Sequence, residues 1–255
     1  MRYLLTALIA VLPAAAPSFA QDGPLRLTTH ALRASFAQDG PLRLTTHALR
    51  ASFAQDGPPK DPNATRAADL VELVKLDPTI KLDIRYAGTN NFLGKPVYKE
   101  ARAFLQRPAA ESLVAAHREL AKSGYGLLIH DGYRPWAITK LFWDMTSGYQ
   151  REFVADPKTG SKHNRGAAVD LTMYDLALGT VVQMPGDYDE MSPRSYPDYR
   201  GGPPEARERR DLLRRVMERH GFTVEPNEWW HFNYKDWTQY PILDIPFSSI
   251  SPAGR

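Results

Sequence analysis

Two short segments contain the residues whose types and spacing could support metal chemistry. Residues 161–170 include His163 and Asp170, and a second segment carries Glu228 three residues before His231. Together they offer two imidazoles, a carboxylate as a third ligand, and a spare carboxylate. A catalytic zinc site needs three ligands with N or O donors, a coordination position left for water, and a nearby base. The two segments together therefore predict a zinc site of the catalytic kind.

Asp170 gives an energetic reason to expect a metal. It lies in the apolar run 167–171, which is predicted to be a strand, and Gly166 permits a tight turn between His163 and this run. A carboxylate buried in such a strand is costly to desolvate unless a cation or hydrogen bonds compensate. A metal ion provides that compensation. A structural aspartate paired with an arginine, or capped by backbone N–H groups, is the alternative.

Glu228 and Arg134 are the residues that we expect to act in catalysis. Trp229 and Trp230 follow Glu228 in the sequence, and bulky aromatic side chains exclude water and lower the local dielectric. A low dielectric raises the pKa of a carboxylate toward the range useful for proton transfer. Arg134 lies on the turn 131–135, where a rigid guanidinium can stabilise an oxyanion or clamp a carboxylate. A surface carboxylate, core tryptophans and a structural turn arginine are the alternatives.

Three other histidines after residue 60 are less favoured as functional residues. His117 lies in the middle of a predicted helix and is interpreted as structural. His220 falls in the last turn of another helix, where a partly cationic imidazole suits the helix dipole. His130 directly precedes the turn that carries Arg134, so a supporting role behind the site is a hypothesis.

The elements that must position these residues follow from apolar periodicity and turn residues. One helix is predicted to begin at Pro108, a second to span Trp136–Met145, and a third to run from Pro204 to His220. Strands are predicted at residues 81–86, 125–130, 167–174, 180–184, 222–224 and 229–234. Helices beside adjacent antiparallel strands, without regular β–α alternation, predict an α+β fold. We expect a single domain with a central antiparallel sheet flanked by helices.

Charge and cysteine content narrow the possible partners and ligands. Five arginines against three aspartates in residues 1–58 leave only +1 of the formal charge of +3 for residues 59–255. A domain so nearly neutral lacks the basic surface with which proteins bind nucleic acid. The chain has no cysteine, so any zinc must be held by histidine and carboxylate, as in catalytic sites.

The first sixty residues are predicted to lie outside the catalytic domain. Residues 1–20 have the pattern of an export signal, with Arg2, a short apolar run and a small-x-small sequence ending at Ala20. Residues 21–37 recur letter for letter directly afterwards, which is typical of a recent duplication, and we interpret 21–60 as a flexible linker. The catalytic domain is predicted to span 61–255. Export to the periplasm or the medium is expected, without stable membrane insertion once the signal is removed.

The combined pattern resembles a known family. Residues 161–170 (SKHNRGAAVD) followed by 228–231 (EWWH) are similar to the zinc D-alanyl-D-alanine metallopeptidases. Three further segments resemble the dipeptidase branch of these enzymes: 83–87 (DIRYA), 131–135 (DGYRP) and 188–192 (YDEMS). The likeness runs from about Leu76 to Trp237, which is essentially the whole predicted folded domain.

The resemblance implies a fold and a set of residue roles. It implies a hedgehog-like α+β metallopeptidase domain with one zinc ion per chain, held by His163, Asp170 and His231. It also implies that Glu228 is the general base and that Arg134 stabilises the transition state. A small pocket for a dipeptide with a free amino terminus is implied as well, lined by Tyr86, Asp131, Ser161 and Asp189.

The expected function is therefore zinc-dependent hydrolysis of D-alanyl-D-alanine to free D-alanine, in the turnover of cell-wall peptides. One alternative is a D,D-carboxypeptidase or endopeptidase that acts on larger peptidoglycan peptides. A non-catalytic, zinc-stabilised binding domain is less favoured, because both Glu228 and Arg134 are present. The expected partner is a small D,D-dipeptide, and the oligomeric state is left open.

Overall fold

The computed structural model describes residues 57–250, which include every predicted site residue. The predicted export signal and residues 21–56 of the predicted linker lie outside the described residues. The strands are β1 (Leu70–Glu72), β2 (Lys81–Leu82), β3 (Phe104–Gln106), β4 (Tyr125–Asp131), β5 (Ala168–Asp175), β6 (Phe222–Glu225) and β7 (Glu228–Tyr234). The α-helices are α1 (Leu73–Leu76), α2 (Arg107–Ala121), α3 (Trp136–Met145) and α4 (Pro204–Arg219).

The described residues form a five-stranded sheet and a small two-stranded one. The larger sheet has the order β2-β4-β5-β7-β6, and the smaller sheet pairs β1 with β3 in antiparallel fashion. All neighbours in the larger sheet are antiparallel except the edge strand β2, which runs parallel to β4. The predicted α+β class, with a largely antiparallel central sheet and flanking helices, is therefore confirmed.

The main core packs where α2 and α4 contact each other and the sheet. Helix α2 buries Leu113 and Leu120 on one face, and α4 buries Leu213 and Met217. All three predicted helices are present. Helix α4 ends just before Gly221, whose φ of +82° is the left-handed conformation that commonly follows a helix C-terminus.

Strand β5 separates the apolar core from the polar side of the sheet. Successive strand residues point to opposite faces, so Val169 and Leu171 enter the core while Asp170 points the other way. In the pairing with β7, Asp170 lies directly opposite His231, and Val169 lies opposite Phe232. Directly opposed residues share a face, so the strand register brings two predicted ligands together.

Two strand predictions were too long. The strand predicted at 81–86 ends at Leu82, because the chain leaves the sheet after the Asp83 N–H bonds the Ile129 carbonyl and then forms the 3₁₀ helix Arg85–Ala87. This turn buries Tyr86.

The hairpin strand predicted at 180–184 is reduced to one isolated bridge, between Tyr174 and Val181. Val181 is 57% exposed, and Pro185 has no N–H with which to continue a ladder.

His117 is placed where a structural role was predicted. It is buried in α2, and its Nδ1 accepts a hydrogen bond of 3.0 Å from the Leu127 N–H. Its Nε2 lies 2.8 Å from the Thr79 hydroxyl. The imidazole thus joins α2 to β4 and to the turn before β2.

No helix among residues 57–250 has the length and apolar character to cross a membrane.

Gly166 forms the turn that leads from His163 into β5. Its φ is +64°, and its carbonyl accepts a hydrogen bond of 2.8 Å from the Gln106 N–H. A Cβ atom added here would come within 2.5 Å of Leu70 Cδ2 and 3.4 Å of the Gln106 backbone nitrogen. The turn therefore needs glycine for both its backbone conformation and its close packing.

We expect Gly166→Ala to lower the free energy of unfolding by more than the roughly 1–2 kcal/mol of left-handed strain alone. Gly94→Ala is the matched control, because Gly94 also has a φ of +64° but nothing lies within 4 Å of its Cβ position. Chemical denaturation of both variants measures the difference. Equal losses of stability would show that Leu70 moves aside without cost.

Candidate metal centre

Three buried side chains converge on one point at the polar face of the sheet. His163, Asp170 and His231 each present one ligand atom, and these atoms lie within 4.8 Å of one another. The Asp170 Oδ1 is 3.3 Å from His163 Nε2 and 3.0 Å from His231 Nδ1, and the two ring nitrogens are 3.1 Å apart. The structure therefore brings together the three residues predicted as ligands.

His163 reaches this point from the 3₁₀ helix His163–Arg165, which directly precedes the Gly166 turn. Its Nδ1 lies 2.7 Å from the Gly132 carbonyl oxygen, which can only accept a hydrogen bond. Gly132 is held closely against β3, since a Cβ atom there would lie 2.8 Å from the Phe104 carbonyl oxygen. The backbone thus requires the proton on Nδ1 of neutral His163 and leaves the Nε2 lone pair facing Asp170.

The donor set fits a divalent cation. His231 Nε2 lies 2.8 Å from the Asn233 Oδ1, so the Nδ1 of a neutral His231 also carries a lone pair toward the centre. Asp170 Oδ1 is buried and has no hydrogen-bond partner within residues 57–250. Three electron-pair donors that face one another in this way need a cation between them, which is either a proton on an imidazole or a metal ion. Although burial opposes it, Asp170 raises the pKa of His231 to about 9, as expected for a site that attracts such a cation. Imidazole and carboxylate donors suit divalent transition metals.

The second oxygen of Asp170 is held by residues outside this ligand set. Tyr188 donates a hydrogen bond of 3.0 Å to Oδ2, and the Arg134 Nη2 lies 3.8 Å away. Tyr188 was not among the predicted site residues, although it begins the segment 188–192 that resembles the dipeptidases and lies beside Asp189. His130 was considered for a supporting role, and its ring lies 4.6 Å from the Tyr188 ring, so it packs behind this tyrosine.

Glu228 lies beside the three ligands at the start of β7. Its Oε2 is 3.4 Å from the His231 Nδ1, and its side chain is 18% exposed. Burial raises the pKa of the Glu228 carboxyl to about 7, although the charge of His231 opposes this rise. A carboxyl group with such a pKa can both accept and release a proton near neutral pH.

Arg134 is buried and held from several sides. Its Nε and Nη2 lie 2.9 and 2.8 Å from the Asp131 Oδ2, and its guanidinium carbon is 4.9 Å from the Phe142 ring centre. Asp131 was predicted to line the substrate pocket, but the structure does not place it among the residues that line the cavity. Asp131 is 1% exposed and lies behind Arg134, where it also accepts a hydrogen bond from Tyr98. It fixes the arginine instead of facing a ligand.

The metal centre opens into a cavity of about 250 Å³. Its walls include three of the four residues predicted to bind substrate, namely Tyr86, Ser161 and Asp189. Ser161 Oγ accepts a hydrogen bond of 3.2 Å from the His163 N–H, so it also supports a ligand segment. Sequence reasoning missed several other lining residues, which lie far from the motifs or gave no pattern of their own: Phe92, Phe142, Glu152–Ala155, Met191 and Asn227.

Asp189 is the strained residue of this cavity. Its φ is +58°, which is unusual for a residue with a side chain, and such strain is concentrated at functional sites. The Tyr86 hydroxyl donates a hydrogen bond of 2.9 Å to its Oδ2. Burial, and then the charge of Asp170, raise the pKa of the Asp189 carboxyl to about 8. A cation placed beside this carboxylate would offset both its desolvation and its repulsion from Asp170.

Comparisons with known proteins show what this chain is similar to. A profile described as D-Ala-D-Ala dipeptidase matches residues 66–249. The D-alanyl-D-alanine dipeptidase of Escherichia coli K12 is 36% identical over 188 residues, covering 73% of this chain and 96% of that protein. The Enterococcus faecium protein of the same name is 36% identical over 190 residues, covering 66% and 92%. The solved structure of the LdcB LD-carboxypeptidase aligns with a TM-score of 0.42 at 18% identity, covering 70% and 74%.

We expect zinc or cobalt to raise the melting temperature of the chelator-treated protein, because a metal that binds only the folded state stabilises it. The gain is about 2.7 kcal/mol when the free metal is 100-fold above its dissociation constant. Asp170→Asn keeps the side-chain volume but removes the anion, so the metal-induced shift should shrink strongly. Thermal denaturation with and without metal measures this shift.

Asp211→Asn, a change at an exposed aspartate on α4, is the control and should keep the full shift. A shift of the same size in Asp170→Asn and in the unmodified protein would contradict the assignment of Asp170 as a ligand.

Proposed function

The chain belongs to the D-Ala-D-Ala dipeptidase family, and from this we propose that it is a zinc-dependent dipeptidase that hydrolyses D-alanyl-D-alanine to D-alanine. The proposal depends on one observation above all. His163, Asp170 and His231 converge beside Glu228 at a small cavity. We assign one zinc ion per chain to this centre, because two imidazoles and a carboxylate form a common catalytic zinc ligand set.

The chemistry divides between the metal and the protein. Zinc held by the three ligands supplies Lewis acidity, which polarises a carbonyl group and acidifies water. Glu228 accepts a proton from the attacking water and delivers it to the departing amine. Arg134 donates hydrogen bonds to the negative charge that develops on the carbonyl oxygen. A single well-placed donor of this kind is worth roughly 3–4 kcal/mol.

Rigidity makes Arg134 suitable for this role. Asp131 neutralises the guanidinium and fixes its direction, so little reorganisation is needed when the oxyanion forms. Such preorganised charge is more effective than a mobile surface arginine, because its orientation is already set before the reaction.

The size and charge of the cavity favour a short substrate with a free amine. Pockets for drug-sized ligands hold roughly 300–1,000 Å³, and this one is smaller, at about 250 Å³. Apart from the two histidine ligands, six acids line it against two basic side chains: Glu152, Asp170, Asp189, Glu190, Glu225 and Glu228 against Arg134 and Lys162. Such an excess of acids attracts a metal cation and an ammonium group. We assign the substrate ammonium group to Asp189 and Tyr86.

We further propose that the protein is exported and acts on dipeptides released from peptidoglycan. The pattern of residues 1–20 supports export, with Arg2 followed by an apolar run and a small-x-small site ending at Ala20. A wholly histidine and carboxylate metal site also suits an oxidising compartment, because it contains no thiolate that could be oxidised.

The test of the function is a comparison of two substrates. The metal-loaded protein should release D-alanine from D-Ala-D-Ala with a kcat/KM about 100-fold or more above that for N-acetyl-D-Ala-D-Ala. The acetyl group removes the ammonium that Asp189 is placed to bind, and a site built for a polar group rejects analogues that lack it. Asp189→Asn should narrow this preference by raising KM for the free dipeptide.

Glu228→Gln is the matched catalytic variant. It should retain the metal and lose about 100- to 10,000-fold in kcat, the usual contribution of a general base. Preference for the acetylated substrate would instead indicate a carboxypeptidase. A metal-loaded protein with no hydrolysis of either substrate would indicate a binding domain.

Export has its own expected outcome. In a bacterial host with a periplasm, the mature protein should begin at Gln21 and appear in the periplasmic fraction or the medium. Leu8→Arg places a charge in the apolar run and should leave the unprocessed chain in the cytoplasm. N-terminal sequencing of each fraction measures both. An uncleaved Met1 or Arg2 end in the exported, unmodified protein would contradict the assigned signal.

A further inference from the structure

A chain of polar groups leads away from the metal centre on the far side of His231. The His231 Nε2 lies 2.8 Å from the Asn233 Oδ1, and the Asn233 Nδ2 donates a hydrogen bond of 2.6 Å to the Glu225 Oε2. The Lys162 Nζ donates to the same Glu225 oxygen, also at 2.6 Å. His231 and Asn233 are each 7% exposed, whereas the Lys162 and Glu225 side chains are 31% and 26% exposed, so the groups nearest the ligand are the best shielded from solvent.

The fold places these groups together through two neighbouring strands and one ligand segment. His231 and Asn233 are two residues apart in β7 and therefore share a face of the sheet. Glu225 ends β6, the antiparallel neighbour of β7. Lys162 directly precedes the ligand His163. The polar chain thus joins the segments that carry two of the three ligands.

Each hydrogen bond in this series determines the direction of the next hydrogen bond. A lysine ammonium group can only donate, and an ionised glutamate can only accept. The Lys162 ammonium group lies 2.6 Å from the Glu225 Oε2 and so pairs with the carboxylate form of this side chain. Glu225 therefore takes the amide NH₂ of Asn233 and leaves the amide oxygen for His231. The amide oxygen in turn requires a proton on Nε2, so the Nδ1 lone pair faces the metal centre.

We propose that Asn233, Glu225 and Lys162 are positioning residues that hold His231 in its Nε2–H tautomer and so raise the affinity of the centre for zinc. This inference rests on the zinc centre of the proposed function. An asparagine without Glu225 could rotate its amide by half a turn and present NH₂ to the imidazole. That orientation would favour the opposite tautomer, which carries its proton on the atom that must bind the metal.

The first test replaces the amide. Asn233→Leu removes both hydrogen bonds and should weaken zinc binding by about 10- to 100-fold, the usual effect of losing a hydrogen-bond partner of a ligating histidine. Competition against a chromophoric chelator measures the dissociation constant. Burial lowers the pKa of His231, but the contact with Asp170 raises it to about 9, so the tautomer is read above that pH, where the ring is neutral. There, imidazole ¹⁵N chemical shifts of the metal-free, full-length protein should show His231 as a mixture of tautomers. His163 is the internal control, because the Gly132 carbonyl fixes its tautomer independently.

The second test restores the direction of the hydrogen bonds between His231 and Lys162 with different residues. In Asn233→Asp combined with Glu225→Gln, the new carboxylate accepts from His231 and from the glutamine NH₂. The glutamine oxygen accepts from Lys162, and the total charge is unchanged. This double variant should recover the zinc affinity and the Nε2–H tautomer that Asn233→Leu loses. It also remains informative if Asn233→Leu does not fold.

The outcomes separate this inference from the proposed function. An unchanged zinc affinity and an unchanged His231 tautomer in Asn233→Leu would overturn the positioning role. The same conclusion would follow if the double variant bound zinc weakly while keeping the native melting temperature of the metal-free protein. If the unmodified protein bound no zinc at all, the zinc centre itself would fail, and with it the proposed function.

Discussion

The structure depends on the convergence of three electron-pair donors in a buried place. His163 Nε2, Asp170 Oδ1 and His231 Nδ1 face one another at about 3 Å, and neither imidazole, when neutral, has a proton to offer there. Such an arrangement is unfavourable without a cation, so the surrounding fold must enforce it. A backbone carbonyl fixes one ring, a tyrosine holds the spare carboxylate oxygen, and an asparagine fixes the other ring. These contacts come from different parts of the chain, which makes the metal centre a product of the whole domain.

Charge balance extends from the metal centre into the cavity. Asp170 and Asp189 are close enough for the first to raise the pKa of the second, and Glu228 adds a further acid. Arg134 pairs with Asp131 and also lies 3.8 Å from the Asp170 Oδ2, so one guanidinium faces several acids. In the proposed function, a metal ion and a substrate ammonium group would balance the remaining negative charge. The selection of a small, positively charged peptide end would then depend on the local charge of the cavity and not on the nearly neutral charge of the domain.

Much of the fold and the metal centre could be predicted from the sequence, for identifiable reasons. The ligands follow from residue type and short spacing, and the helices follow from periodicity over ten or more residues. The end of the strand predicted at 81–86 could not be predicted, because an alternating pattern does not show where the chain leaves a sheet. The position of Asp131 behind Arg134 could not be predicted, because a motif gives no side-chain direction. The contact of Tyr188 with Asp170 depends on the tertiary structure, and the contact of Asn233 with His231 follows only once β7 is known to place both side chains on one face.

The distance along the chain between His231 and the other two ligands has a consequence for the way in which the protein acquires its metal. Asp170 and His231 become neighbours only when β5 pairs with β7, and His163 is fixed only when Gly132 lies against Phe104. An unfolded chain therefore has no preformed chelate, and metal binding contributes its free energy to the completed fold. Metal binding is thus coupled to the completion of the fold, because a chain in which β5 and β7 are not yet paired lacks the complete ligand set.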